Sequence, residues 1–523
     1  MKFLAKMKEK QMQRKLGGIL CGLLCTGVLV MPSAWADDYY GNDGNTKQLT
    51  GANVSLDSGN YDAVYGGYDD TEVSLPEVFK NNITITGTAA TNIVWGAYSF
   101  YGNVRENTVT ISGNTLGNVV CGGGTGAADA IKNHVIIKAN SVVNANVAGG
   151  VAVKGNSEGN TVKIIKSSAA NVYGGKGDTS SKGNSVEISE GTISNSVYGG
   201  YADNDNNSSA EKNNVTISAG SKVSEDIYGG YATHNTNENK VSITNGAEVG
   251  QSVFGGFSVK GDSKKNEVIL NGASGVTANI AGGVALAGIS EGNKVNIAHS
   301  SVNANVYGGY SFKGNSMDNT VTIDNSTVNE NVYGGYTESD GAISEKIQNN
   351  KVIFKNGAKI KGDVYGGYDK LNKANITNNT LEVVGKGNEA KSIQNFDKLN
   401  FFITKDFVAN DTMLKVTDTA LINNAEIKAG VELGTKLNEN DKINLIDAGA
   451  LKAENITTGT LTDGLINIDK GIKVSIGPDG NKLVGVVNGT TPPGGGGTTP
   501  PGGGGTTPPG GGGTTPPGGG GTQ

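Results

Sequence analysis

The sequence predicts an all-β chain, built as a right-handed parallel β-helix (a solenoid) with terminal caps and a disordered C-terminal Pro/Gly tail. Three observations carry this. A unit of about 27 residues recurs twelve times between Asn60 and Leu381, and self-similarity at such a period means stacked turns rather than one globular core. Within each unit apolar residues alternate, as in Val109 and Ile111, Val162 and Ile164, Val215 and Ile217, or Val321 and Ile323, which places them on one face of a strand. Finally, 82 glycines with only 6% aromatics can fill a thin core between short strands but not a large one. A β-propeller is the alternative for a β-repeat, but its blades need about 40 residues or more.

The unit has two halves. Glycine pairs or their equivalents begin at positions from Gly66 to Gly366, and strand-opening asparagines run from Asn81 to Asn379. From each Asn to the next Gly the spacing is 14 to 16 residues; from each Gly to the next Asn it varies from 10 to 16. One arc is therefore nearly constant, and the insertions gather in one connector after the glycine pair. A turn of this length has room for three short strands and three corners. Twelve turns at a spacing of ~4.8 Å make a rod of roughly 58 Å.

In chain order, residues 1–36 read as an export signal. Lys2, Lys6, Lys8, Lys10, Arg14 and Lys15 form a basic region, Leu16 to Val30 an apolar stretch too short to span a membrane, and Ala34-Trp35-Ala36 a cleavage site before Asp37. Cys21 and Cys25 leave with the signal, so Cys121 has no partner for an internal disulfide. Residues 37–60 are assigned to an N-terminal cap and 61–383 to about twelve repeat turns. Residues 384–488 are read as degenerate turns and a C-terminal cap, because an open solenoid end exposes its edge and core. Residues 489–523 carry four Thr-Thr-Pro-Pro-Gly-Gly-Gly-Gly units, the composition of a disordered linker. The formal net charge is −6, more negative once the signal's six basic residues and one acid are removed, which argues against a nucleic-acid partner.

Aromatic residues flank the glycine pairs and vary together: Tyr65 with Tyr68, Tyr198 with Tyr201, Tyr228 with Tyr231, Phe254 with Phe257, Tyr307 with Tyr310, Tyr333 with Tyr336, Tyr365 with Tyr368. They read as a structural ladder, ring over ring; the functional alternative is an exposed tyrosine stripe. The glycines themselves are read as corners with positive φ or a close backbone approach. Carboxylates gather in three connectors: Asp69, Asp70 and Glu72; Asp203 and Asp205; Glu338 and Asp340. Paired acids can perform general acid/base chemistry, but among Asn, Ser and Gly they are ordinarily solvated turn residues. His134, His234 and His299 fall in different turns, and Gly261-Asp-Ser is followed by Lys264 rather than by the Gly-Ser of secreted serine protease passengers. Neither a catalytic site nor a bound metal or cofactor is expected.

The export signal, the Val-Tyr-Gly-Gly-Tyr and Asn-x-Val-x-Ile repeats, the segment Ile393-Gln394-Asn395-Phe396-Asp397-Lys398-Leu399-Asn400-Phe401 and the Pro/Gly linker together resemble the passenger regions of bacterial autotransporters, especially adhesin-like ones. The resemblance implies a β-helical passenger displayed at the outer-membrane surface or released, moved through a C-terminal β-barrel translocator, with 384–488 matching the folding-nucleus segment. No such barrel follows Gly489, so self-translocation is not expected of this chain alone. The expected function is an adhesin or surface-interaction protein that binds a host-cell or bacterial surface protein or glycan. Recognition is placed in the connectors 69–80, 98–106, 201–212, 336–349 and 368–378. A β-helix polysaccharide lyase or hydrolase, and a purely structural surface or biofilm protein, are the alternatives.

Overall fold

A computed structural model describes residues 37–71, 76–338, 345–372 and 374–489. The predicted signal and Pro/Gly tail lie outside them, as does Ala36 of the predicted cleavage site, whereas Asp37 opens the described chain. The protein is an all-β parallel solenoid of about 15 turns, with no helix among the described residues. At ~4.8 Å per turn the rod is on the order of 70 Å long.

Three sheets run its length. The core sheet has sixteen strands, the glycine sheet carries the Gly pairs, and a narrow sheet has twelve strands of two or three residues. Each turn pairs in register with the next: Val215 lies beside Val186 and Val241, and Ile217 beside Ile188 and Ile243. Stacking like on like buries the core-facing Val and Ile of successive turns, while in turns such as Asn214–Ser218 and Lys240–Thr244 the Thr and Ser between them lie on the outer face. The acids and bases outside follow the same register, as in Lys163–Glu187, Lys212–Glu238 and Lys240–Glu267.

The strand-opening asparagines do more than open strands. From Asn81 to Asn379 each is almost wholly buried, and the Nδ2 of each one before Asn379 donates to Oδ1 of the next: Asn213 to Asn239 at 2.9 Å, Asn239 to Asn266 at 2.9 Å, Asn266 to Asn293 at 3.1 Å. The same Oδ1 accepts the backbone N–H of the preceding turn's asparagine, as Asn239 does from Asn213 at 3.1 Å. A second Nδ2 bond reaches a narrow-sheet carbonyl, Ala210 in the case of Asn239. Twelve side chains thus satisfy the backbone at a corner where the sheet ladder is interrupted.

The residue before each ladder asparagine is left-handed: Lys212 at φ 55°, Glu238 at 54°, Lys265 at 52°, Asp318 at 56°, or a glycine such as Gly183. The tight turn expected at the glycine pairs is here instead. The pairs themselves lie inside strands such as Val197–Ala202 and Ile227–Ala232, and none has a positive φ. Their requirement is space. A Cβ on Gly230 would lie 2.5–2.7 Å from the side-chain atoms of Asn239, and one on Gly229 would overlap the Gly255 carbonyl oxygen of the next turn. Gly229→Ala is therefore expected to cost about 3 kcal/mol, the upper range of overpacking, because neither backbone can withdraw without breaking a ladder. Urea unfolding of the variant measures this directly.

The narrow sheet ends at Asn375–Thr377, and from Thr380 each turn has two sheets with a core enriched in Phe396, Phe401, Phe407 and Met413. An antiparallel hairpin, Lys473–Asp479 with Lys482–Asn488, lies against Lys442–Lys452 and covers the last edge of the glycine sheet. At the other end, Tyr39–Tyr40 pairs with Val64 and Tyr65. Residues 53–56, assigned to a cap, already form a core-sheet strand beside Asn82–Ile85.

Candidate functional site

The flanking aromatics stand on the outer side of the glycine sheet in an apolar cluster separate from the core. They form two parallel columns. In one, Tyr173, Tyr198, Tyr228 and Phe254 stack at 4.9, 5.0 and 5.2 Å between centroids; in the other, Tyr201, Tyr231 and Phe257 stack at 4.9 and 5.5 Å. The two rings of one turn meet edge to face, Tyr198 and Tyr201 at 89°. A second set runs Tyr307–Tyr333–Tyr365 beside Tyr310–Tyr336–Tyr368. Near the N-terminus Tyr40 stacks on Tyr65, and Tyr68 on Tyr98. Mutual coverage leaves most of these rings buried; Tyr65, Tyr68, Tyr365 and Tyr368, at the ends, are half-buried.

Gaps in the columns have local causes. The Gly124 position is occupied by the Trp95 indole of the preceding turn, where a Cβ would strike the ring. Lys176 replaces a tyrosine and places its ammonium 5.4 Å above the Tyr201 ring.

The connectors emerge along one edge, between the glycine sheet and the narrow sheet. The predicted recognition loops are partly structured: they contain the narrow strands Val78–Phe79, Val104–Arg105, Ser209–Glu211, Lys346–Gln348 and Asn375–Thr377. Length variation is confined to the few residues before those strands.

The candidate acids are engaged one by one. Asp69, expected among solvated turn residues, is buried. Its carboxylate accepts the Thr71 backbone N–H at 3.1 Å, the Thr71 hydroxyl at 2.6 Å and the Ser99 hydroxyl at 2.9 Å, so it shapes the connector. Asp70 is exposed and pairs with Lys47 at 2.5 Å. Asp205 meets Lys260, two turns away, at 3.2 Å. Burial pushes the Asp203 carboxyl above its ordinary range, opposed by the Lys176 charge and a Tyr201 hydrogen bond. Glu338 accepts the Tyr310 hydroxyl at 3.0 Å, the Tyr336 hydroxyl at 3.4 Å and Lys370 at 3.1 Å. Glu72 and Asp340 lie outside the described residues.

Each described acid thus has its own partner on its own or a nearby turn. His134 bonds Thr161 at 2.7 Å and His299 contacts Asn325 at 3.2 Å, in separate turns. Among the described residues no His, Cys, Asp or Glu group is arranged to hold a metal ion. Phe100 and Tyr101 stand exposed on a connector; their only signal in the sequence is two adjacent aromatics where sister turns carry Gly126-Ala127, Val153-Lys154, Val259-Lys260, Leu286-Ala287 or Phe312-Lys313.

No family model matches the chain, and no curated protein matches its sequence. Fold and edge together define its class: a parallel β-solenoid repeat protein whose variation is gathered along one side.

Proposed function

We propose that this chain is the exported passenger of an autotransporter-type system, displayed on the surface of a bacterium with an outer membrane, and that it acts as an adhesin through its connectors. An outer-membrane β-barrel would be its translocation partner, and a surface glycan or protein its ligand. The observation that carries the reading is the division of labour within a turn. Ladders of Asn, Val, Ile and Tyr hold every side of the rod in register, while a single edge accepts insertions such as Asp203–Ser208 without disturbing the strands on either side. A rigid scaffold with one tolerant edge is how loops acquire recognition at low structural cost.

The repeats supply the test. Each long connector, at 70–77, 203–208, 338–345 and 370–374, is replaced by the short one between Ala232 and Asn235, and attachment of beads bearing the protein to epithelial cells and to bacteria is counted. At least one exchange is expected to abolish attachment while leaving thermal unfolding unchanged. Attachment that survives every exchange would sink the connector hypothesis.

A further inference from the structure

Phe100 and Tyr101 are the two exposed aromatic side chains among the described residues, at 41% and 37% exposure. They are adjacent, their ring centroids are 5.8 Å apart at a 42° tilt, and Phe100 meets Tyr98 edge-on at 6.0 Å.

The repeat provides an internal control for whether the fold needs them. Connectors of the same length run from Ser99 to Val104, Thr125 to Ala130, Ala152 to Ser157, Ser258 to Ser263, Ala285 to Ser290 and Ser311 to Ser316. Three close with the same bond, a backbone N–H donating to the hydroxyl three residues earlier: Gly102 to Ser99 at 2.8 Å, Ala128 to Thr125 at 3.2 Å, Gly261 to Ser258 at 3.0 Å. At the place of Tyr101 the sister turns carry Ala127, Lys154, Lys260, Ala287 and Lys313. At the place of Phe100 they carry small or aliphatic residues or Phe312. Phe312 packs against the tyrosine columns and follows Leu286 in its own column, whereas Phe100 stands between Asp70 and Gly126. The backbone forms without these rings, and both rings stand exposed.

We propose that Phe100 and Tyr101 form a stacking platform for a neutral hexopyranose of a cell-surface glycan; this deepens, and rests on, the adhesin reading. A pyranose offers a face of C–H groups to an aromatic ring and hydroxyls at its rim. Polar groups flank the platform on both sides: the exposed Asp70–Lys47 ion pair on one, Asn103 and Asp129 on the other. A protein partner fits less well. A stable interface covers about 800 Å² on each side, and the apolar surface is not extended by Gly126, Ala127 or Lys154.

The test uses the purified chain and the double variant Phe100→Val/Tyr101→Lys, which installs the Val153-Lys154 pair already present on an equivalent connector. Maltohexaose, cellohexaose and a β-galacto-oligosaccharide are titrated while saturation-transfer NMR is recorded, with Phe312→Val as a control. At least one oligosaccharide is expected to bind at millimolar concentration or below, to receive saturation on its pyranose C–H protons when aromatic protons of the protein are irradiated, and to lose at least about tenfold affinity in the double variant but not in the control. Binding by none of the three, or equal binding by the variant, overturns the platform. Cell attachment is counted in parallel. Attachment that persists in the double variant leaves the adhesin reading standing and removes this site from it, and attachment lost by the variant without oligosaccharide binding overturns the carbohydrate assignment.

Discussion

Replacing Asn239 by alanine is expected to destabilise its stretch of the rod by about 3–5 kcal/mol, one of the largest effects available to a single substitution in this chain. Three backbone or side-chain groups lose their partners at once. The Asn213 backbone N–H and its Nδ2 both donate to Asn239 Oδ1, and the Ala210 carbonyl accepts from Asn239 Nδ2. The site is 1% exposed, so little water can enter as a substitute. Asn239→Asp separates hydrogen bonding from shape. It keeps the size and the acceptor Oδ1 but removes the donor, leaving two acceptor oxygens facing each other where Asn239 now donates to Asn266. At neutral pH the aspartate is expected to be at least as damaging as alanine. Below the pH at which its buried carboxyl takes a proton, part of the loss should return, because the protonated acid can donate to Asn266. Urea unfolding at pH 7 and pH 4 for wild type and both variants measures this. Equal stabilities of wild type and Asn239→Ala would mean that the ladder is incidental to the rod. Turns of a solenoid contact only their neighbours, so the damage is expected locally, as new proteolytic cleavage between about 210 and 266 before global unfolding.

How far this was legible from the sequence differs by element. The parallel solenoid was legible because period-two alternation and a fixed repeat admit few other ways to bury Val and Ile. The corner chemistry was not. Of the two readings of the glycine pairs, positive φ and a close backbone approach, the structure shows the second; the left-handed position lies instead before each ladder asparagine, where Gly159, Gly183 and Gly292 are joined by Lys212, Glu238 and Lys265, residue types with no preference for that conformation. Their strain is tolerated because the following asparagine anchors the corner on two turns at once, a contact between residues about 26 positions apart that no local rule anticipates. Asp69 is a similar case. Its composition was that of a solvated turn, and only the fold brings Ser99 of the next turn to its carboxylate. Phe100 and Tyr101 differ for another reason: they lie outside the repeating columns, in a connector whose sequence varies from turn to turn, so only the equivalence of the connectors in space makes them a departure from the repeat.

The tyrosine columns make the rod sensitive to alkali. Burial raises the phenol pKa of Tyr201, Tyr307, Tyr310, Tyr333 and Tyr336 above the ordinary 10, with neighbouring acids adding to it: Asp203 for Tyr201, and Glu338 for Tyr307, Tyr310 and Tyr336. A phenol whose folded pKa is raised keeps its proton in the fold after the unfolded chain has released it. Its contribution is therefore fully present below about pH 10 and is lost as pH rises from there toward the folded value. Each tyrosine that stays protonated removes about 1.4 kcal/mol of stability per pH unit in that window. Because the rings are stacked, ionising one places charge against its neighbours and the losses fall together. Unfolding is thus expected to be steep between about pH 10 and 12 and accompanied by the absorbance rise of phenolate near 295 nm, the two transitions coinciding. Tyr307→Phe should shift that transition to higher pH, since the column keeps its ring and loses an ionisable hydroxyl. A variant at Tyr310 is less informative, because its hydroxyl donates to Glu338 and its removal withdraws one of that carboxylate's partners. Phenolate absorbance that rises near pH 10 with the fold intact would show that the columns are open to water, and would return the tyrosines to consideration as a binding stripe.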